Sequence, residues 1–255
     1  MKKKNTLLLF LCLFSLWAVA QEKKPVKIAC VGNSITYGSG IKNQFQNSYP
    51  GLLSQLLGEG YDVRNFGISA RVLLNKGDHP YMHEQKFRDL LAFQPDIVTI
   101  KLGTNDSKPW NWRYGKDFKK DLTEMLDIHK ELSIHTTIFL CLHVPDVERN
   151  SSINTSVITN GIIPVIRSVA KKRHLPVVDL YALLKPYPDY YTDGIHPNEQ
   201  GAALIAGELY RTLTGNEAPA IVTDQPFPGK KSQWEGFDRY DFICNARRAI
   251  VVAPR

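Results

Sequence analysis

Four short segments of the 255-residue chain hold side chains suited to chemistry. In Gly32-Asn33-Ser34-Ile35-Thr36, a hydroxyl follows directly on an apolar run, where a serine either caps a helix or faces a cleft as a nucleophile. Asp193-Gly194-Ile195-His196-Pro197 sets a carboxylate and an imidazole three residues apart across a glycine. One turn brings such a pair together, and the carboxylate then fixes the ring tautomer and stabilises the imidazolium formed when the ring takes a proton. Asn65-Phe66-Gly67 and Gly103-Thr104-Asn105-Asp106 offer hydrogen-bond donors: the unobstructed backbone N–H of Gly67 and the side-chain amide of Asn105. With the N–H of Ser34 they would form a three-donor oxyanion hole, each donor worth about 3 to 4 kcal/mol when aimed at developing negative charge. Taken singly, Gly67 reads as a turn residue and Asn105 as a local cap.

The elements that must carry these segments alternate. Apolar runs at 27–31, 61–65, 97–102, 137–142 and 176–180 lack polar alternation and fit parallel strands covered on both faces. Amphipathic stretches at 49–57, 83–92, 116–132, 156–174 and 198–213 predict helices between them, with Pro197 suited to the first helical position of the last. The alternation predicts a three-layer α/β/α sandwich around a central five-stranded parallel sheet. In such sheets reactive groups gather beyond the carboxyl ends of the strands, where all four segments fall. Strand order 2-1-3-4-5 would keep Cys30 and Cys141 about 9 to 10 Å apart, too far for a disulfide, as two buried inert thiols.

Taken together, in this order, the segments resemble the SGNH hydrolases, the GDSL-like lipase/acylhydrolase superfamily, over residues 26–213. The resemblance implies the flavodoxin-like fold of that family and a catalytic triad of Ser34 as nucleophile, His196 as base and Asp193 as its orienting acid. It also implies an oxyanion hole of Ser34, Gly67 and Asn105, and a mechanism that needs no metal and no organic cofactor. Asn33 stands where the family often has Asp, outside the triad. Many family members are carbohydrate esterases. A serine esterase removing short acyl groups, acetyl above all, from carbohydrate or sialic acid is therefore the leading expectation, with a small-molecule or glycan ester as its partner. A lysophospholipase or thioesterase for longer acyl chains, and a catalytically silent glycan-binding module, stay open as rivals.

Composition narrows the classes. With 43% hydrophobic and 22% charged residues, the chain has the apolar content of an ordinary globular domain, which excludes disorder and a small disulfide scaffold. Residues 1–20 combine three lysines, an apolar stretch too short to span a bilayer and a final Ala-Val-Ala, the pattern of a cleavable secretory signal. Loss of those lysines lowers the formal charge from +7 to +4, too little to imply a nucleic-acid partner. Secreted or periplasmic residence without stable membrane insertion is expected. Residues 214–233 read as a linker and 234–255 as a β-hairpin tail that resembles the opening of a second domain cut short; no G-x-S-x-G elbow accompanies it.

Aromatic and polar side chains on two loops are candidates for substrate contact: Trp110, Trp112 and Arg113 after the third strand, and Tyr191 before the Asp/His pair, with His143 after the fourth strand. Asp78-His79-Pro80 copies the pair with the wrong spacing and reads as loop. His83, His129, His135 and His174 read as solvated.

Overall fold

A computed structural model describes residues 24–132, 135–147 and 152–221. The expected signal at 1–20 and hairpin at 234–255 lie outside the described residues. Five strands form one sheet: β1 (Val26–Gly32), β2 (Tyr61–Gly67), β3 (Ile97–Lys101), β4 (Thr137–Cys141) and β5 (Val177–Val178). Every pairing is parallel, as the alternation predicts, and the order is β2-β1-β3-β4-β5, the one that keeps Cys30 and Cys141 apart. Because side chains point alternately to the two faces, β1 sends Ala29 and Val31 into one core and Ile28 and Cys30 into the other. The first core lies under α3 (Gln85–Phe93), α4 (Phe118–Leu132) and α5 (Ile163–Arg173). The second lies under α2 (Tyr49–Leu57), α6 (Leu180–Leu184) and α7 (Glu199–Thr214). Cys30 and Cys141 are buried free thiols on strands separated by β3, and burial pushes both up to about 12, so neither forms a thiolate at neutral pH.

Several boundaries depart from the sequence reading for local reasons. The apolar run at 176–180 yields only two strand residues, because the Asp179 side chain accepts the Ala182 amide at 3.0 Å and starts α6. The last helix begins at Glu199, with Pro197 outside it: Asn198 is the cap, its side chain accepting from the amides of Gln200 and Gly201, both at 3.1 Å. The single helix expected over 156–174 is interrupted by a π-helical turn, Ile158–Ile162, ahead of Pro164 in the first turn of α5. Pro164 has no N–H to give to the α-helical ladder. The described part of the expected linker, 214–221, ends with Ile221 buried in the second core.

His129 corrects its reading as solvated. On α4 it is 3% exposed, edge-on to Phe87 with ring centroids 6.0 Å apart, and burial pushes its imidazole down to about 4. His83, His135 and His174 are exposed.

Candidate active site

The chain beyond β1 turns at once into a one-turn helix, α1 (Ser34–Tyr37), ahead of α2 to α7 in the chain. Asn33 sets that turn by accepting the Ile35 amide at 3.2 Å, and Gly38 ends it in the left-handed region at φ 95°. Ser34 is therefore the first residue of a helix whose start is fixed to the carboxyl end of a central strand. Such a position holds its hydroxyl toward the loops above the sheet.

The loop between α6 and α7 brings the other two groups. The Oδ1 of Asp193 accepts the amides of Ile195 and His196, at 3.0 and 2.8 Å, which curls 193–196 into a tight turn. That turn places Oδ2 of Asp193 2.7 Å from Nδ1 of His196, and Nε2 of His196 lies 2.8 Å from Oγ of Ser34. Hydroxyl, imidazole and carboxylate thus stand in one hydrogen-bonded chain across 162 residues of sequence. Partial burial pushes the Asp193 carboxyl up, but the His196 amide, the imidazole and the Ile195 amide outweigh it, and the group is held below the usual carboxylate range. It is ionised at neutral pH and directs the Nδ1 proton to itself, which leaves Nε2 as the acceptor for the Ser34 hydroxyl.

The expected donors divide. Asn105 sits in the turn after β3, 7% exposed, with its side-chain amide on the Arg71 carbonyl at 3.1 Å and its own carbonyl accepting from Asn111 at 2.9 Å. One amide hydrogen is thus held by Arg71 and the other is available. Gly67 does not match its expected role. Its N–H donates to Asn65 Oδ1 at 2.8 Å, and its lack of a side chain serves packing: a Cβ there would lie 2.2 Å from the backbone N of Tyr37 in α1. Gly67 lets α1 sit on the end of β2. The next loop contains Ala70, a non-glycine residue in the left-handed region at φ 66°. Among the described residues the amides of Ser34 and Ala70 have no hydrogen-bond partner.

Of the expected substrate contacts, two are corrected. His143 is fully buried, 0% exposed, and burial pushes it down to about 3, so it packs beneath the site and cannot line it. Tyr191 is 8% exposed and belongs to the second core. Trp110 is 46% exposed, its indole N–H on Asp78 at 2.9 Å; Trp112 packs on Phe118, and Arg113 lies 4.8 Å from the Tyr114 ring centre.

Three supports went unread in the sequence. Asp106 is buried and accepts the amides of Leu73 and Leu74 at 3.1 and 2.8 Å, tying the Arg71 loop to the Asn105 turn. Burial raises its carboxyl to about 7 against those two hydrogen bonds. Lys101, also fully buried, donates to Thr104 Oγ1 at 3.1 Å, and burial pulls it down to about 7. Asn111 bridges the Asn105 carbonyl and Asp78. A lysine ending a strand and an asparagine in a loop give no periodic signal that would have singled them out. Among the described residues no cluster of three His, Cys, Asp or Glu is placed to hold a metal.

A serine, histidine and aspartate hydrogen-bonded in line beyond the carboxyl edge of a five-stranded parallel sheet in a three-layer α/β/α fold have the arrangement of a serine-hydrolase site, and the family comparison points to the same class. Residues 30–204 match the GDSL-like Lipase/Acylhydrolase family, and the chain belongs to it. An acetylxylan esterase from Xylanibacter ruminicola is 44% identical over 205 residues, 73% of this chain and 43% of that protein. The chain thus spans less than half of that relative. A rhamnogalacturonan acetylesterase from Bacillus subtilis is 24% identical over 212 residues, 72% of this chain and 88% of that one. The native aryl esterase of M. smegmatis shares the fold with a TM-score of 0.62 at 20% identity, covering 74% of this chain and 99% of that one.

Proposed function

We propose that the protein is a serine esterase that hydrolyses short-chain esters, chiefly acetyl, on carbohydrate. The observation that carries this reading is the hydrogen-bonded sequence Ser34 Oγ to His196 Nε2 at 2.8 Å and His196 Nδ1 to Asp193 Oδ2 at 2.7 Å. Likeness to an acetylxylan esterase and a rhamnogalacturonan acetylesterase supports the choice of acyl group and substrate class.

The mechanism follows from where protons sit. A serine hydroxyl is a weak nucleophile until a positioned base takes its proton. As Ser34 Oγ attacks the acetyl carbonyl carbon, His196 Nε2 accepts that proton, and Asp193 stabilises the imidazolium. The carbonyl oxygen gains the negative charge, met by the amide of Ser34 and the free hydrogen of the Asn105 side chain. The amide of Ala70, on the loop whose next carbonyl orients Asn105, fills the place expected of Gly67. Collapse of the tetrahedral intermediate breaks the ester C–O bond, and His196 gives its proton to the departing sugar oxygen. Water then attacks acetyl-Ser34 by the same route, releasing acetate and restoring the hydroxyl.

Initial rates on p-nitrophenyl esters of increasing acyl length test the acyl group. Acetate is preferred on this account; preference for octanoate would favour a lysophospholipase or thioesterase, and no turnover with any ester a glycan-binding module. Export to the periplasm or beyond is part of the same reading, supported by the lysine-rich, apolar pattern of residues 1–20, and no helix among the described residues is long and apolar enough to cross a membrane. N-terminal sequencing of protein recovered from the periplasm or medium tests it, with Gln21 as the expected first residue.

A further inference from the structure

Ala70 holds a backbone conformation that alanine disfavours. Its φ of 66° lies in the left-handed region, where the Cβ crowds the backbone. The strain has a local escape. Rotation of the planar Ser69–Ala70 peptide group about its two flanking bonds changes ψ of Ser69 and φ of Ala70 together and leaves the rest of the chain nearly in place. Half a turn takes φ of Ala70 from positive to negative. The same half turn reverses the Ala70 N–H, the donor aimed at the ester's carbonyl oxygen in the mechanism above. That donor is therefore held against a local preference, and the neighbouring side chains show what holds it.

The Ser69 carbonyl and the Ala70 N–H are the two ends of one peptide group. No peptide bond among the described residues is cis, so these ends point in opposite directions, and whatever fixes the oxygen aims the N–H. The Ser69 oxygen accepts Nη1 of Arg71 at 3.0 Å. A cation on the carbonyl also polarises the peptide and strengthens its N–H as a donor. The guanidinium is fixed in turn: its Nε donates to Oε1 of Glu84 at 2.8 Å, with both side chains partly buried, 26% and 30% exposed. Glu84 occupies the N-cap of α3 yet makes no side-chain capping bond; its carboxylate is turned to Arg71 instead.

Two further ties place this peptide at the site. Ser69 Oγ lies 2.9 Å from Oγ of Ser39, whose own amide donates to the Ser34 carbonyl at 2.9 Å. On the other side of Ala70, the Arg71 carbonyl accepts the Asn105 side-chain amide at 3.1 Å. The Ala70 N–H thus lies between a segment fastened to the turn of the nucleophile and one fastened to a second oxyanion donor.

We propose that Arg71, oriented by Glu84, is a positioning residue for the reaction: its guanidinium locks the Ser69–Ala70 peptide with the N–H facing the oxyanion, while its backbone carbonyl orients Asn105. One residue thereby sets two of the three donors. The proposal rests on the serine-esterase reading and deepens it, assigning the Arg71–Glu84 pair to transition-state stabilisation rather than to substrate recognition.

Kinetics with p-nitrophenyl acetate test it. Arg71→Gln keeps the backbone carbonyl but removes the guanidinium, and should lower kcat about 10- to 100-fold with KM changed less than about twofold, a smaller loss than deleting a donor outright. Glu84→Ala should lower kcat by a smaller factor, and Glu84→Gln, whose amide oxygen still accepts Nε, should recover most of that loss. Ala70→Gly separates aiming from general structure. Glycine adopts a positive φ without strain, so the tendency of the peptide to turn over is removed. Arg71→Gln made in Ala70→Gly protein should therefore cost no more than about threefold relative to Ala70→Gly alone, whereas a merely structural ion pair would cost the same in both backgrounds. Should Arg71→Gln fail to fold, Glu84→Ala in the two backgrounds makes the same comparison. Unchanged kcat in Arg71→Gln, a loss carried by KM, or an equal loss in the Ala70→Gly background would each overturn the proposal while leaving the esterase reading in place. Absence of turnover by the unsubstituted enzyme would remove both.

Discussion

The side-chain amide of Asn105 is held 3.1 Å from the carbonyl oxygen of Arg71, a residue 34 positions earlier on the loop after β2. An asparagine amide rotates freely unless one of its hydrogens is fixed, and fixing one aims the other. The loop beyond β2 therefore contributes to the site by orienting a donor that the loop beyond β3 supplies. Replacing Asn105 by Ala should lower kcat about 100- to 1,000-fold with KM for p-nitrophenyl acetate little changed, because the lost hydrogen bond forms to charge that exists only in the transition state. A kcat within twofold of the unsubstituted enzyme would remove Asn105 from the oxyanion hole.

The triad members should not be equivalent. Ser34→Ala and His196→Ala remove reacting groups and should each lower kcat by about 10⁶, whereas Asp193→Ala removes an orienting group and should cost about 10⁴. Ester hydrolysis of the three variants under single-turnover conditions checks the ranking. A double variant Ser34→Ala/His196→Ala should be no worse than Ser34→Ala alone, since the two act as a unit.

Gly67 is predicted to matter through packing. A methyl group at 67 would meet the Tyr37 backbone N at 2.2 Å, and Tyr37 closes the helical turn that Ser34 opens. Gly67→Ala should therefore destabilise the fold by about 3 kcal/mol or more and displace Ser34 from His196. Thermal unfolding and esterase turnover should fall together; a fully active, equally stable variant would show that α1 tolerates the shift.

His129 offers a prediction about pH. Its imidazole is held near 4 in the folded protein against an ordinary value of 6.5. Between those values the unfolded chain binds a proton that the folded chain does not, so the stability that neutral His129 provides is complete above about pH 6.5 and is lost as pH falls towards 4. The loss amounts to about 3.5 kcal/mol at most, from roughly 1.4 kcal/mol for each pH unit. His129→Leu should accordingly gain stability relative to the unsubstituted protein as pH is lowered from 7 to 4. Because Asp106, raised to about 7, changes stability in the opposite sense over the same range, the difference between the two proteins is the quantity to measure by chemical denaturation. A difference that does not vary with pH would contradict the buried, neutral assignment.

The parallel α/β sheet and the alignment of Ser34, His196 and Asp193 were legible because each has a signal that survives without context. Unbroken runs of Val, Ile and Leu mark strands covered on both faces, and Asp193 and His196 have a spacing that only one turn can satisfy. The second block was misread for an equally physical reason. Gly67 has the residue type expected of an exposed backbone donor, yet its requirement comes from the approach of α1, while the unpartnered amide belongs to Ala70, whose left-handed conformation leaves no mark in an alanine. His129 was misplaced because an amphipathic helix does not reveal which polar residue lies against a neighbouring ring. Tyr191 and His143 sit near the site in the chain but point into the core, a distinction made by tertiary packing alone.

The account stands on Ser34 being activated by His196. Treatment of the intact enzyme with a fluorophosphonate, followed by tryptic digestion and mass spectrometry, measures this directly. Stoichiometric phosphonylation of Ser34, and a loss of labelling rate of at least 1,000-fold in His196→Ala, are the predicted results. Absence of label on Ser34 in active enzyme, or undiminished labelling without the imidazole, would contradict it.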